Sequence, residues 1–409
     1  MSSRRLKILV FEPELDGHHS RYVAAILKES MDRGHQPVLV TTATALNHPA
    51  YDALKTSFGT QCFDVIKMPS PIIKALPRFS RWQLLHRQWL TWLIFYRVFR
   101  RFTLYSSYDC VFIPYLNDLD LMISFIGSPF GSLPWGGILM RDRFHHHIVN
   151  PNTPPIPNAG VWQWMFERLA RRSYLKALFT VDETLVEYYR SRTKIQPPVK
   201  YLVGEPIEVP SLIPSCEARR ALNVPLSGKY ILIYGNVDRR KGIKELLTAF
   251  NLCRLREDIK LLIVGDQGVM RQYVREAGHD ARLKGQLHEI DRFASSREES
   301  LAFSVADLVW VGYSTHHGPS GVLGKAAAAG VPVIACNVGN IGWVTDKHRL
   351  GPTVDVSDVH AVVAAISSVL FDSDARNVYE EGCREYAREK TGKRFGVEIV
   401  DSLEDACLK

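Results

Sequence analysis

Short apolar runs, each closed by a turn and followed by a segment with helical spacing, recur along this sequence, and the series starts twice. The first series opens with Lys7-Ile-Leu-Val-Phe11, then the turn-like Glu12-Pro-Glu-Leu-Asp-Gly-His-His19. Ser20 to Lys28 has helical spacing, with Ser20 as the predicted N-cap. Gly34-His35 stops that helix and Pro37-Val-Leu-Val40 is the next strand. Strand, loop, helix and strand make a βαβ unit, which commits the chain to a parallel sheet. Further strands are predicted at Cys62 to Ile66, Cys110 to Ile113, Gly136 to Met140 and Leu178 to Val181, with a helix over Val161 to Lys176.

Near residues 203–215 both periodicities break at Gly204-Glu-Pro-Ile-Glu-Val-Pro210 and Pro214. The second series then begins. Strands are predicted at Tyr230 to Tyr234, Lys260 to Val264, Leu308 to Val311 and Val331 to Ala335. Helices are predicted at Lys244 to Arg254, Gly324 to Ala329, Asn377 to Lys390 and Phe395 to Cys407. With 409 residues there is length for two ordinary domains. The expectation is an α/β protein of two Rossmann-like domains, 1–205 and 206–385, facing each other across a ligand cleft. Residues 386–409 are expected to form a helix that crosses back to the first domain.

Seven scattered cysteines without a CxxC pair read as reduced thiols of a cytosolic protein. The first apolar run, Ile8 to Phe11, is too short for a signal peptide, and no run approaches the roughly 20 apolar residues of a spanning helix. The expected location is cytoplasmic, with peripheral attachment to the cytoplasmic face of a membrane. The net charge of +8 favours an anionic partner without choosing among nucleotide phosphates, nucleic acid and lipid headgroups.

Two loops of the second series carry the chemistry. Gly235-Asn-Val-Asp-Arg-Arg-Lys-Gly242 follows a strand and opens a helix. Three successive cations near helix N-terminal amides suit a diphosphate, although a solvated basic turn has the same local sequence. The second loop runs from His316 to Val333, with a helix starting near Ser320 to Val322. Its alanines let that helix lie close to a sheet. It reads either as a packing helix or as a second set of amides aimed at a ligand.

These residues resemble the retaining glycosyltransferases of the GT-B fold, in which a strand leads into G-R-x(4)-K-G and later into E-x(7)-E-A-x-A-x-G-x-P-V. Gly235 with Lys241-Gly242 matches the first motif. Leu261 to Asp266 matches the strand ending beside the donor, and Lys325 to Val333 matches the end of the second motif. The resemblance implies a nucleoside-diphosphate sugar, UDP- or GDP-linked, held mainly by the C-terminal domain, and an acceptor held mainly by the N-terminal one. It implies no metal and no cofactor. The implied donor contacts are Gly17, Asn236, Arg240, Lys241, Gly265, Asp291, His317, Gly318, Ser320, Gly321, Val322 and Lys325. Asp291 lies in a loop after Leu287, His288 to Phe293, where the family encloses the base.

The departures from the family pattern are specific. Its phosphate-binding arginine falls on Asn236, with Arg239 or Arg240 available to take its place. Its two glutamates fall on His317 and Lys325, and a lysine ammonium accepts no hydrogen bond from a ribose hydroxyl. Lys325 is left to approach a phosphate or to pair with an acidic neighbour. On the acceptor side a family histidine falls on Arg141 or Asp142, within Gly137 to His145. An aspartate there orients a sugar hydroxyl or accepts its proton, and an arginine stabilises negative charge. Asp16-Gly-His-His-Ser20 resembles the family's small-residue turn at the first helix. Gly17 gives backbone access there, and His18 or His19 is placed to reach the cleft. Asp142, Arg141 and His18 are thus the catalytic candidates. His145-His-His147 is a weak metal signal, and no metal is expected.

Residues 72–105 contain Lys74, Arg78, Arg81, Arg87, Arg97, Arg100 and Arg101 and no acidic residue. Trp82, Leu85, Trp89, Trp92, Leu93, Tyr96 and Phe99 recur among them at helical spacing. This balance fits the headgroup region of an anionic membrane or a buried helix with a basic exposed side. No RRM, KH or helix-turn-helix pattern supports nucleic acid. The function expected is transfer of a sugar from a nucleotide donor to a polysaccharide or lipid-linked acceptor, with retention, in cell-surface glycan synthesis. The rival readings are an inactive binding protein in a synthase complex and an epimerase of similar layout.

Overall fold

The computed structural model describes residues 4–59, 62–70, 81–191, 199–202, 205–207, 210–253 and 258–408. Its contacts divide the chain into two compact units. One comprises Met1–His145, Ile156–Pro206 and Lys390–Lys409, and the other His146–Pro155 and Ile207–Glu389.

The first unit is built on a seven-stranded parallel sheet: β1 Lys7–Phe11, β2 Gln36–Thr42, β3 Asp64–Met68, β4 Cys110–Ile113, β5 Trp135–Leu139, β6 Leu175–Thr180 and β7 Val199–Tyr201. The strand order is β3-β2-β1-β4-β5-β6-β7, so it reverses between β1 and β4. The apolar run of β1 pairs with β2 and β4 and is buried from Ile8 to Phe11, as a central strand covered on both faces must be. The helix His18–Asp32 lays Tyr22, Val23, Ile26 and Leu27 into the core, where Phe395, Ile399 and Leu403 of the C-terminal helix Gly392–Leu408 meet them. Gly396 makes that crossing close, because a Cβ there would stand 2.6 Å from the Ala25 carbonyl oxygen.

The second unit has a six-stranded parallel sheet: β8 Lys229–Tyr234, β9 Ile259–Val264, β10 Leu287–Ile290, β11 Leu308–Val311, β12 Val333–Cys336 and β13 Thr353–Val354. Its order is β10-β9-β8-β11-β12-β13, reversing between β8 and β11. Every residue of β9 is buried, and helices Ile243–Cys253 and Val359–Phe371 share a core with it.

Several elements differ from the sequence expectation. The first helix starts at His18 with Gly17 as N-cap at φ 56°, and the Ser20 hydroxyl bonds back to the Gly17 carbonyl at 3.2 Å instead of capping. The helix predicted to Lys176 ends at Ala170, because Tyr174 turns the backbone at φ 63° and Lys176 belongs to β6. His288, Glu289 and Ile290 are strand, so only Asp291 to Phe293 remain as loop. The strand predicted from Val331 starts at Val333, since the Val331 amide still bonds the Ala326 carbonyl of the preceding helix. Lys74 and Arg78 lie outside the described residues.

Candidate active site

In a parallel sheet the crevice for a ligand opens beyond the carboxyl ends of the strands, at the point where strand order reverses. In the second unit that point lies between β8 and β11, and the predicted loops converge on it. β8 is followed by Gly235, whose amide bonds the Val264 carbonyl at 2.9 Å. Gly265 follows β9 so close by that a Cβ would fall 2.1 Å from the Gly235 carbonyl oxygen. With φ at +139°, only glycine fits there without strain. A short 3₁₀ turn, Arg239–Lys241, then leads through Gly242 into the helix Ile243–Cys253.

Lys241 is the buried member of the cationic run. Its Nζ donates to the Tyr234 carbonyl at the end of β8 and stands 5.5 Å from the centre of the Tyr313 ring, just after β11. Burial pulls its ammonium down to about 8. Arg239 and Arg240 are exposed. Arg240 is occupied by Asp238, with Nε at 3.0 Å and Nη2 at 2.6 Å from one carboxylate oxygen. Asn236 is exposed beside them.

Beyond β11, His317 is fixed by its backbone, its carbonyl accepting from the Asn340 amide at 2.7 Å. Gly318 precedes the helix Gly321–Ala328, which Ser320 enters in an extended conformation without a side-chain capping bond. The first-turn amides, Gly321 and Val322 among them, have no acceptor within their own helix. Lys325 lies one turn further on and pairs with Glu299 of the helix Ser296–Val305, whose same oxygen accepts from the Tyr234 hydroxyl. Of the two roles left open for Lys325, pairing with an acid is the one the structure takes. Asp291 follows β10 and is held below the usual carboxylate range by Arg271, with the Gln267 amide also donating at 3.0 Å.

In the first unit the reversal falls between β1 and β4. Glu12 follows β1 and pairs with His19 at 3.1 Å. Burial opposes protonation of His19, but the Glu12 carboxylate outweighs it and raises the imidazole above its ordinary value. His18 goes the other way. Burial, with the charges of His19, Arg21 and Arg141, lowers it to about 4, so it is neutral at pH 7. Its Nε2 is buried without a hydrogen-bond partner among the described residues. Tyr115, after β4, packs its ring 4.8 Å from that of His19 and lies under the Arg141 guanidinium at 5.2 Å.

Asp142 follows β5. Burial and the nearby Asp120 and Asp182 carboxylates push it well above the ordinary range. The same surroundings favour the protonated form of Asp142 over its carboxylate. Burial raises Asp120 to about 6, against hydrogen bonds from Gln88 and Asn117. His145 is fully buried, with Nε2 at 3.0 Å from the Thr184 hydroxyl and 3.4 Å from Asp182.

Residues 215–390 match the family model of glycosyl transferases group 1. The likeness to that family is confined to this segment, which is less than half of the chain. A D-inositol 3-phosphate glycosyltransferase of Corynebacterium kroppenstedtii is 30% identical over 200 residues, covering 47% of this chain and 44% of that protein. A phosphatidyl-myo-inositol mannosyltransferase of Mycolicibacterium smegmatis is 28% identical over 159 residues, covering 38% and 39%. The chain thus spans less than half the length of these curated relatives. The Anabaena protein Alr3699/HepE, solved with UDP-glucose, superposes with a TM-score of 0.63 at 14% identity, covering 98% of this chain and all of that one. That likeness shows the fold, which is GT-B.

Where the resemblance implies two glutamates the chain has His317 and Lys325, and Lys325 is paired with Glu299. Sequence reasoning missed Glu299, Tyr234 and Tyr313. The N-cap signal Ser295 with Glu298 three residues on marks the helix that carries Glu299. In the first unit it missed Glu12 and Tyr115, which no motif singles out.

Proposed function

We propose that this chain is a glycosyltransferase that moves a sugar from a UDP- or GDP-linked donor to a polysaccharide or lipid-linked acceptor, with retention, in cell-surface glycan synthesis. The observation that carries the reading is Lys241, a buried cation between the ends of β8 and β11 in the segment that matches the family. A cation in that place neutralises charge developing on a departing nucleoside diphosphate, and the first-turn amides at Gly321 and Val322 add donors for the distal phosphate or the sugar. Gly265 gives the ligand room at the end of β9. Asn236, Arg240, Asp291, His317, Gly318 and Ser320 line the approach, with Arg240 and Asp291 already engaged in ion pairs. On the acceptor side, Asp142 orients a sugar hydroxyl. Arg141 offers positive charge, and neutral His18 and the Gly17 backbone complete that edge. The names of the relatives, which include an inositol phosphate and a phosphatidylinositol enzyme, support a phosphorylated or lipid-linked acceptor.

We also place the protein on the cytoplasmic face of an anionic membrane through residues 72–105. No helix among the described residues is long and apolar enough to cross a membrane. The test of the catalytic reading is nucleoside diphosphate release from UDP- and GDP-sugars with a membrane lipid extract as acceptor. Release that requires the extract, and falls at least tenfold in Lys241→Ala, supports transfer. Nucleotide binding without release in any combination would favour an inactive binding protein.

A further inference from the structure

Exposed aromatic side chains of the first unit gather on one face. On the helix Arg81–Thr103 the rings of Trp89, Trp92 and Tyr96 form a parallel ladder, with centroids 6.0 and 5.4 Å apart and planes within 8°. Trp92 donates its Nε1 proton to the Gly127 carbonyl at 2.8 Å, which ties the ladder to the end of the helix Asp120–Ile126. That helix leaves its last two residues, Phe125 and Ile126, 48% exposed. Phe125 meets Trp164 of the helix Ala159–Ala170 at 6.1 Å, and Trp164 is itself 49% exposed. Leu85 and Trp92 pack beneath on Leu121, Met122 and Met165. The three helices therefore share one apolar underside and present one aromatic outer surface. Apolar surface of this extent on a folded unit marks an interaction site rather than scatter.

Charge selects the partner. Arg100 continues the ladder's stripe three turns beyond Trp89, with Arg97 and Arg101 exposed beside it. On the third helix Val161, Trp164, Arg168 and Arg171 fall on one stripe, and Arg168 sits 5.4 Å over the Trp164 ring. Against these five arginines the acids beside these faces, among the described residues, are Glu167, which bonds Gln163 and lies 4.0 Å from Arg171, and Asp118, which is paired with Arg87. Tryptophan and tyrosine with flanking arginine is the composition that settles at a bilayer interface, rings among the headgroups and guanidinium groups on anionic phosphate.

We infer that the first unit docks on an anionic lipid surface through this three-helix face, with Phe125 and Trp164 inserting beside the Trp89–Tyr96 ladder. The inference rests on the membrane contact proposed above for residues 72–105 and enlarges it with two helices that the stretch does not contain. The test uses the full chain and vesicles of phosphatidylcholine, alone or with about a third phosphatidylglycerol. Three forms are compared: wild type, the double variant Phe125→Ser with Trp164→Ser, and the triple variant Arg97→Glu with Arg100→Glu and Arg101→Glu. Wild type is expected to float with the anionic vesicles only, and each variant to lose at least tenfold in partition. UDP and GDP binding, followed in the same samples, is expected to stay unchanged, which separates failure of this surface from failure of the donor reading. Thermal midpoints check that the variants fold. If the serine variant partitions like wild type while the arginine variant does not, the enlarged face is overturned. Equal binding of wild type to neutral vesicles, or a wild-type dimer that either variant dissociates, also overturns it.

Discussion

Lys325 shows how a single side chain can depart from the motif that the resemblance implies and still be satisfied. A lysine in place of a glutamate would leave a half-buried ammonium near the end of β8, but Glu299 meets it, and Tyr234 donates to the same carboxylate. Breaking one partner of such a pair costs more than the pair contributes, because the remaining charge loses its counterion. Lys325→Glu should therefore destabilise the second unit by about 3 kcal/mol, since it sets two carboxylates side by side. Adding Glu299→Lys should restore most of that loss. Urea unfolding of the single and double variants measures both, and an additive loss would show that the two residues are not coupled. The sequence showed the substitution and both possible fates of the lysine. It did not show the partner, because Glu299 lies 26 residues away on another helix and only the fold brings them together.

At the scale of elements, the strands were the most legible part. β4 and β11 have the bounds predicted for them, and β1 does as well, because a central parallel strand reads as an unbroken apolar run. Edge and boundary residues were less legible. β10 carries His288 and Glu289, and its polar residues hid it as a loop. The cap of the first helix was missed because Gly17 supplies the turn by backbone conformation, with no side-chain capping bond to advertise it. The C-terminal end holds a second buried ion pair that no periodicity reveals. Lys390, 5% exposed, lies 3.5 Å from Glu183, 6% exposed, between the helices Ser373–Glu389 and Gly392–Leu408. Burial lowers Lys390 to about 8, while Glu183 resists that fall. Lys390→Met should lower stability by about 3 kcal/mol, and Lys390→Met with Glu183→Met should recover much of it. Denaturant midpoints decide, and a double variant no better than the single one would contradict a pairwise role.

For the molecule as a whole, the α/β class and the two parallel sheets followed from the repeated alternation of apolar runs and helices. The reversal points did not, because strand order depends on which runs pair, and local pattern is silent on that. Those reversals between β1 and β4 and between β8 and β11 organise the two candidate sites. The cationic turn was legible in the sequence, yet which of its three cations faces inward was not. Burial singles out Lys241, and that burial also sets its titration near 8.

If Lys241 holds a nucleoside diphosphate at the end of β8, calorimetric titration of UDP and GDP at pH 7 and pH 9 will show it. The ammonium is charged below about 8 and loses its proton above it, so binding should be present at pH 7 and weaken at pH 9. Lys241→Met should lower affinity at pH 7 by roughly tenfold to a hundredfold, the worth of a hydrogen bond to a charged group. The variant should also lose the difference between the two pH values. Affinity equal in both proteins at both pH values, or no binding of either nucleotide by the wild type, would contradict that role for Lys241.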